Sequence, residues 1–294
     1  MSHYYTSMKY TEASAQLELA CEWLDRIGVN YSRTRVNKYR KLFASAASHQ
    51  LSNTLECFHQ DKEWINAVYE VAEITRIFKG LNEQNSQELV QRLRKSLKGH
   101  HQYVLDNSDN SGSNFSLELS IASKFVLGGY SVDFGDNADV ATNIGDIRFF
   151  VECKRLKSAN QIEKRISEGL KQLVTRYQSS QIPSMARGII ILSISKVINE
   201  NLGQLDGEKS RVLADAGFKH IEAFISTYQP RWQREVDQRT LGAAVILDVP
   251  GRIGKGKLIT CHLVALNNSV VNSNDYKFLQ RIANEIFDQP TGLA

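Results

Sequence analysis

At 294 residues, 42% of them hydrophobic and 23% charged, the chain has the composition of an ordinary globular protein, with room for two domains of usual size. Its net charge of +4 is too small to define a polyanionic ligand, so where the charges fall matters more than their sum. Four scattered cysteines (Cys21, Cys57, Cys153, Cys261) form no C-x-x-C pair, which fits neither a disulfide framework nor a zinc site and suits a reducing cytosol. The opening Met1–Ser7 lacks the charged-then-apolar pattern of a signal peptide, and no run approaches the roughly 20 apolar residues of a membrane span. A soluble, cytoplasmic protein without membrane contact is expected.

The N-terminal part reads as helices. Residues 12–27 carry Ala13, Leu17, Ala20, Leu24 and Ile27 at helical spacing and end at Gly28. Further helices are expected over 33–47, over 61–78 with Trp64, Val68, Val71, Ile74 and Phe78 in one stripe, and over 87–97. No proline precedes Pro183, which suits an all-α domain over residues 1–105. Asp106 to Asn114 is polar or small throughout and cannot bury a face, so residues 106–114 read as a linker. Residues 115–294 then alternate helix and strand signals as a second, α/β domain. A helix over 115–127 stops at Gly128-Gly129, and Tyr130–Phe134 alternates as a short strand. Strands at 137–142 and 147–154 flank the turn Asn143-Ile144-Gly145-Asp146. A helix over 161–177 follows, then an apolar strand at 188–195, a helix at 210–227, and strands at 241–249 and 258–266.

Alternation along a strand places Glu152 and Lys154 on one face, with Val151 and Cys153 turned to the core. A hairpin loop of two or four residues pairs Asn143 with Asp146 and sets Asp139 opposite Phe150, diagonal to Glu152 on the same face. A three-residue loop would flip that parity. Two carboxylates roughly 7 Å apart at the backbone repel each other, and a divalent cation would relieve the repulsion. Such an ion polarises a phosphate and lowers the pKa of a bound water, while Lys154 offsets developing charge. Glu118 shares a helix face with Ala122 and Phe125 at i+4 and i+7, so it needs a partner on an otherwise apolar surface. The simpler alternatives are a solvated Glu-x-Lys ion pair, and for Glu118 a helix-start carboxylate favoured by the macrodipole. Asp133, Asp136 and Asp146 compete with Asp139, but turn chemistry accounts for Asp136 and Asp146.

The set Glu118, Asp139 and Glu152-Cys153-Lys154, within a helix–three strands–helix–strand order, resembles the PD-(D/E)xK nuclease superfamily over roughly residues 113–250. The resemblance implies a restriction-endonuclease-like fold, a mixed central sheet flanked by helices and here preceded by the all-α domain. It implies Mg²⁺ or Mn²⁺ held by Asp139 and Glu152, Lys154 assisting attack, and Glu118 as an auxiliary carboxylate. Ala138 stands where the superfamily's proline would be, a common departure. Gln172 is followed at i+4 by Arg176, with Tyr177 one place late, which argues against the branch carrying Gln-x-x-x-Tyr.

From residue 154 to residue 187 eight basic residues face only Glu163 and Glu168. Arg155, Lys157, Lys164, Arg165, Lys171 and Arg176, with Gln172, are therefore expected to follow a nucleic-acid backbone, and a second basic run lies at 33–41. His100-His101 has no further ligands nearby, and Gly251–Lys257 lacks the spacing of a phosphate loop and reads as a hairpin turn. The expected function is metal-dependent hydrolysis of phosphodiester bonds, in DNA before RNA, in the setting of restriction or antiviral defence. The alternatives are a catalytically silent nucleic-acid-binding or scaffold protein and an RNA-cleaving nuclease. A homodimer, or a partner protein held by the helical domain, is expected. The apolar strands are expected to carry the fold without the site, so that Glu152→Ala folds normally.

Overall fold

A computed structural model describes residues 2–49, 62–98, 111–181, 183–202, 205–234, 237–253, 257–268 and 273–287. The chain enters as strand β1 (Ser2–Lys9) and continues through helices α1 (Tyr10–Arg26), α2 (Arg35–His49), α3 (Lys62–Leu81), α4 (Gln87–Ser96) and α5 (Ser111–Leu127). Next come β2 (Val140–Ile144), β3 (Ile147–Arg155), α6 (Ile162–Ser179), β4 (Ala186–Ser193), α7 (Ser195–Leu202), β5 (Leu205–Gly207) and α8 (Ser210–Arg234). The strands β6 (Thr240–Ile253) and β7 (Lys257–Asn268) and helix α9 (Ser273–Phe287) complete the described elements.

One mixed sheet runs in the order β1-β7-β6-β4-β3-β2, with β5 attached to β6. Strands β3, β4 and β6 are mutually parallel, whereas β2–β3, β6–β7 and β7–β1 are antiparallel. The two central strands β4 and β6 are apolar on both sides because both faces are covered. Phe150, Ile190, Leu192, Val245, Leu247 and Leu263 pack under α6 and α8 on one face. On the other, Val151, Cys153, Ile189, Ile191, Ile246 and Val264 pack under α5 and α9. The α/β class and the helix-flanked mixed sheet are thus as expected.

Helices α1–α4 gather around Leu17, Trp23, Leu24, Tyr39, Phe43, Ile77 and Leu93, and Leu119 of α5 joins that cluster. Helix α5 therefore serves two cores, Leu119 facing the helices while Leu117, Ile121 and Phe125 face the sheet. A polar seam ties α3 to neighbouring elements through three residues at i, i+3 and i+6. Arg35 Nε donates to Glu70 Oε2 at 2.7 Å, Arg155 Nη2 to Glu73 Oε1 at 2.7 Å, and Arg76 Nη2 to Asp248 Oδ1 at 3.1 Å. His262 Nδ1 lies 2.8 Å from the same Asp248 Oδ1 and donates to it. Burial keeps His262 neutral by lowering its pKa to about 4, against the pull of Asp248.

Several expectations are corrected. Residues 2–9 are not part of a helical segment but a strand paired with β7 along its whole length, so α1–α4 are inserted between an edge strand and the rest of the sheet. Helix α5 starts at Ser111, so residues 111–114 of the expected linker are helical, and Gly112 lets that first turn press on the backbone of Lys98. Residues 106–110 lie outside the described residues, as do Cys57, His100 and His101. The strand expected at Tyr130–Phe134 is reduced to one bridge, Val132 to Thr142. Strands β6 and β7 pair as far as Ile253 and Lys257, as a hairpin requires, and the tip at 254–256 is outside the described residues. Cys21, Cys153 and Cys261 are buried free thiols. Among the described residues no helix is long and apolar enough to cross a membrane.

Candidate active site

The turn between β2 and β3 is two residues, Gly145-Asp146, with Gly145 at φ +59° and Ile144 paired with Ile147. Asn143 consequently pairs with Arg148, not Asp146. The register from Val140–Val151 sets Asp139, just ahead of β2, level with Glu152 instead of Phe150. The parity of the expected hairpin is kept, and the two carboxylates are directly opposed instead of diagonal.

Asp139, Glu152 and Lys154 come together. Lys154 Nζ stands 3.7 Å from Asp139 Oδ2 and 3.5 Å from Glu152 Oε2, and it donates to the Cys153 carbonyl at 3.1 Å. Asp139 Oδ2 also accepts the Cys153 backbone N–H at 2.7 Å, which fixes that carboxylate to the β3 backbone. Helix α6 closes over the lysine because residue 169 is glycine. A Cβ there would lie 2.5 Å from Ile190 Cδ1 and 3.3 Å from Lys154 Cε, so any side chain would push Ile190 aside and crowd the lysine. Glu152 is fully buried, which sets aside the alternative of a solvated Glu-x-Lys ion pair. Its Oε1 accepts from Arg176 Nε at 3.0 Å, and Arg176 Nη2 donates to the Asn137 carbonyl at 2.8 Å. Truncation to alanine would leave two cations without their buried acceptor, so Glu152→Gln is the less disruptive probe.

Glu118 projects from the face of α5 that carries Ala122 and Phe125 into the sheet core, as its spacing implied. Its partner is Arg92 of α4, with Nη1 at 3.5 Å from Glu118 Oε2. The same guanidinium donates to the carbonyls of Asp136, Ala138 and Asp139 at 2.9, 3.2 and 2.9 Å. On the other flank Arg148 Nη2 reaches Asp133 and Asp136, each at 2.7 Å. Asp136 is also bonded to the Ala138 N–H; these contacts outweigh burial and hold its carboxyl below the usual range. Asp133 and Asp136 are thus occupied with loop structure. Three arginines from three elements, Arg92, Arg148 and Arg176, shape the segment that presents Asp139.

The carboxyls of the site are crowded and buried together. Burial first, and then the charge of Asp139, push Glu118 up to about 8 despite Arg92 and Lys154. The same two causes push Glu152 up to about 7 despite Lys154 and Arg176. Both carboxyls are raised above their unfolded value near 4.5, so their contribution to stability is fully present below pH 4.5 and is lost as pH rises through 7 and 8. Glu118→Gln removes one titration while keeping the shape. In EDTA, urea unfolding should show wild type losing stability relative to Glu118→Gln between about pH 5.5 and 8.5; parallel profiles would refute the raised carboxyl.

The other expected residues are spread out. Arg155 and Lys157 are buried, and Arg155 is bound to Glu73, so neither can follow a nucleic-acid backbone from where it sits. Arg176 points inward to Glu152. Lys164 and Arg165 both lie beside Glu168, at 3.9 and 3.1 Å, while Lys171 and Gln172 are exposed on α6. Arg92 escaped sequence reasoning because nothing local links it to a loop more than forty residues away. The three oxygen-donor side chains suit a hard divalent ion and the raised carboxyls fit its charge, although among the described residues no group of three or more possible ligands is gathered tightly enough to hold one.

No family model matches the chain. It is 25% identical over 225 residues to a von Willebrand factor A domain-containing protein of Dictyostelium discoideum, a match covering 74% of this chain and 23% of that protein. The chain thus spans about a quarter of the curated relative it matches. No solved structure matches.

Proposed function

We propose that the protein is a metal-dependent nuclease of the restriction-endonuclease-like type that hydrolyses phosphodiester bonds, in DNA before RNA. The observation that carries this reading is the meeting of Asp139, Glu152 and Lys154 within 3.7 Å, with Glu118 brought to the same end of the sheet by α5. The order α5-β2-β3-α6-β4, with β2 antiparallel and β4 parallel to β3, supports that fold type. Asp139 and Glu152, with Glu118 as an auxiliary carboxylate nearby, would hold Mg²⁺ or Mn²⁺ with water completing its shell, and the ion when bound would polarise a phosphate and acidify a water. Lys154 offsets charge on the phosphate oxygens as the nucleophile attacks. Arg176 keeps Glu152 in place, and Arg92 sets the backbone that presents Asp139. The buried surroundings strengthen each of these interactions relative to water.

The test is cleavage of plasmid, linear duplex, single-stranded DNA and RNA with Mg²⁺, Mn²⁺ or EDTA. Wild type should cut only with metal, and Glu152→Gln and Lys154→Ala should each lose roughly 10²–10³ in rate. Cutting in EDTA, or cutting retained by both variants, would overturn the reading. A second reading, a silent nucleic-acid-binding protein, is favoured by Arg176 and Lys154 already neutralising Glu152. Salt-sensitive binding without cutting would establish it.

A further inference from the structure

Resting on the nuclease reading, we infer that the phosphodiester backbone of the substrate is held by a basic groove on the N-terminal helices, between the α1–α2 turn and the C-terminal end of α4. The groove has a volume of about 660 Å³ and is lined by Asn30, Arg33, Thr34, Arg94, Leu97 and Lys98 among others, with no acidic residue in its lining. Arg35 beneath it is buried on Glu70 and donates to the Ser96 and Lys98 carbonyls, which makes the floor rigid. Arg94 is steadied by its bond to the Gly28 carbonyl at 3.1 Å. Arg33 and Lys98 are exposed, and among the described residues no carboxylate forms an ion pair with either, so both are open to an anion.

The comparison with α6 decides which surface carries the contact. There Lys164 and Arg165 already lie beside Glu168, which leaves little uncompensated charge for a polyanion. The groove is also placed to act with the site. Helix α4 carries Arg92, which reaches the Asp139 segment, and two residues on, about 200° around the helix, Arg94 of the groove. The two are separated by about one helix diameter, roughly 10 Å, well within one turn of a duplex of about 34 Å. The groove and the Asp139 segment therefore lie on opposite sides of α4, and a backbone seated on Arg33 and Lys98 would pass around that helix to reach the site. Such contacts position without reading sequence.

The experiment is binding of a fluorescein-labelled 20-base-pair duplex to the full chain in EDTA, where metal-dependent cutting is silent, across about 50–300 mM salt. Wild type is compared with the Arg33→Gln/Lys98→Gln double variant and with Lys164→Gln/Lys171→Gln on α6. Loss of two phosphate contacts should reduce the slope of log K against log salt by about 1.8 in the groove variant, at about 0.9 per contact, with a smaller change in the α6 variant. An unchanged slope in the groove variant, a larger change in the α6 variant, or no duplex binding by wild type overturns the inference. The nuclease reading is judged separately by Mg²⁺-dependent cutting with Glu152→Gln as control: cutting by wild type together with an unchanged groove slope would remove the groove and leave the nuclease.

Discussion

Arg92→Ala is expected to lower the unfolding free energy by about 3 kcal/mol and to abolish metal-dependent cleavage without altering any proposed ligand. The guanidinium is mostly buried, meets three carbonyls at 2.9–3.2 Å and faces Glu118 at 3.5 Å. Hydrogen bonds to a charged group contribute about 1.5–3 kcal/mol each but do not add when they share a donor, so the total is taken near the upper single value. The effect on chemistry follows from what is released. The Asp136–Asp139 backbone loses the donor that holds three of its carbonyls, and Glu118 is left beside Asp139 without its cation. Arg92→Lys restores a charge but not the planar fork, so it should recover part of the stability and little of the rate. The measurements are urea unfolding, Mg²⁺ affinity by calorimetry and cleavage rate on one duplex. Stability lost with metal affinity and rate intact would make Arg92 a structural brace only.

The second large effect lies in the seam between α3 and the sheet. Asp248→Ala is expected to cost about 3–5 kcal/mol, because it strands the Arg76 guanidinium and the His262 Nδ1–H in a buried setting. Burial alone would raise the Asp248 carboxyl, but Arg76 and His262 overcome it and hold its pKa well below the usual range. A depressed carboxyl contributes stability above its unfolded pKa, near 3.8, and loses it as pH falls toward the folded value. The deficit of Asp248→Ala should therefore be constant from pH 5 to 8 and shrink only in stronger acid. Arg76→Met/Asp248→Leu removes both charges and should recover most of the loss, since apolar replacement of a buried pair is often neutral. If the double variant is as unstable as Asp248→Ala, packing rather than charge governs the seam. Thermal and urea unfolding of wild type, Arg76→Met, Asp248→Leu and the double variant measure the coupling directly.

Much of the sheet could be read from local pattern. Continuous apolar runs marked β4, β6 and β7, and the Gly145-Asp146 turn marked the β2–β3 hairpin, because burial on both faces and positive φ each leave a local trace. The meeting of Asp139, Glu152 and Lys154 was legible in part: alternation put Glu152 and Lys154 on one face, while the place of Asp139 depended on the hairpin parity and its register came out one step off, level with Glu152. What local pattern does not carry is the partner across space. Arg155 and Lys157 look like surface cations in sequence, yet Glu73, some eighty residues earlier, accepts Arg155 in the interior. Arg176 looks like a phosphate ligand and instead holds Glu152. Residues 2–9 have no hydrophobic alternation of their own, and their strand is imposed by the open edge of β7.

That edge strand has a consequence for synthesis. Ser2 pairs with Leu266 and Lys9 with Ile259, so β1 leaves the ribosome some 250 residues ahead of the strand it pairs with. At about 5–20 residues per second, a segment containing Tyr4, Tyr5 and Thr6 waits roughly 13–50 s without a ladder to join. Throughout that interval the nascent chain offers an unpaired β-prone strand to chaperones or to neighbouring chains on the same message, and the rate of translation through β7 sets how long the offer stands.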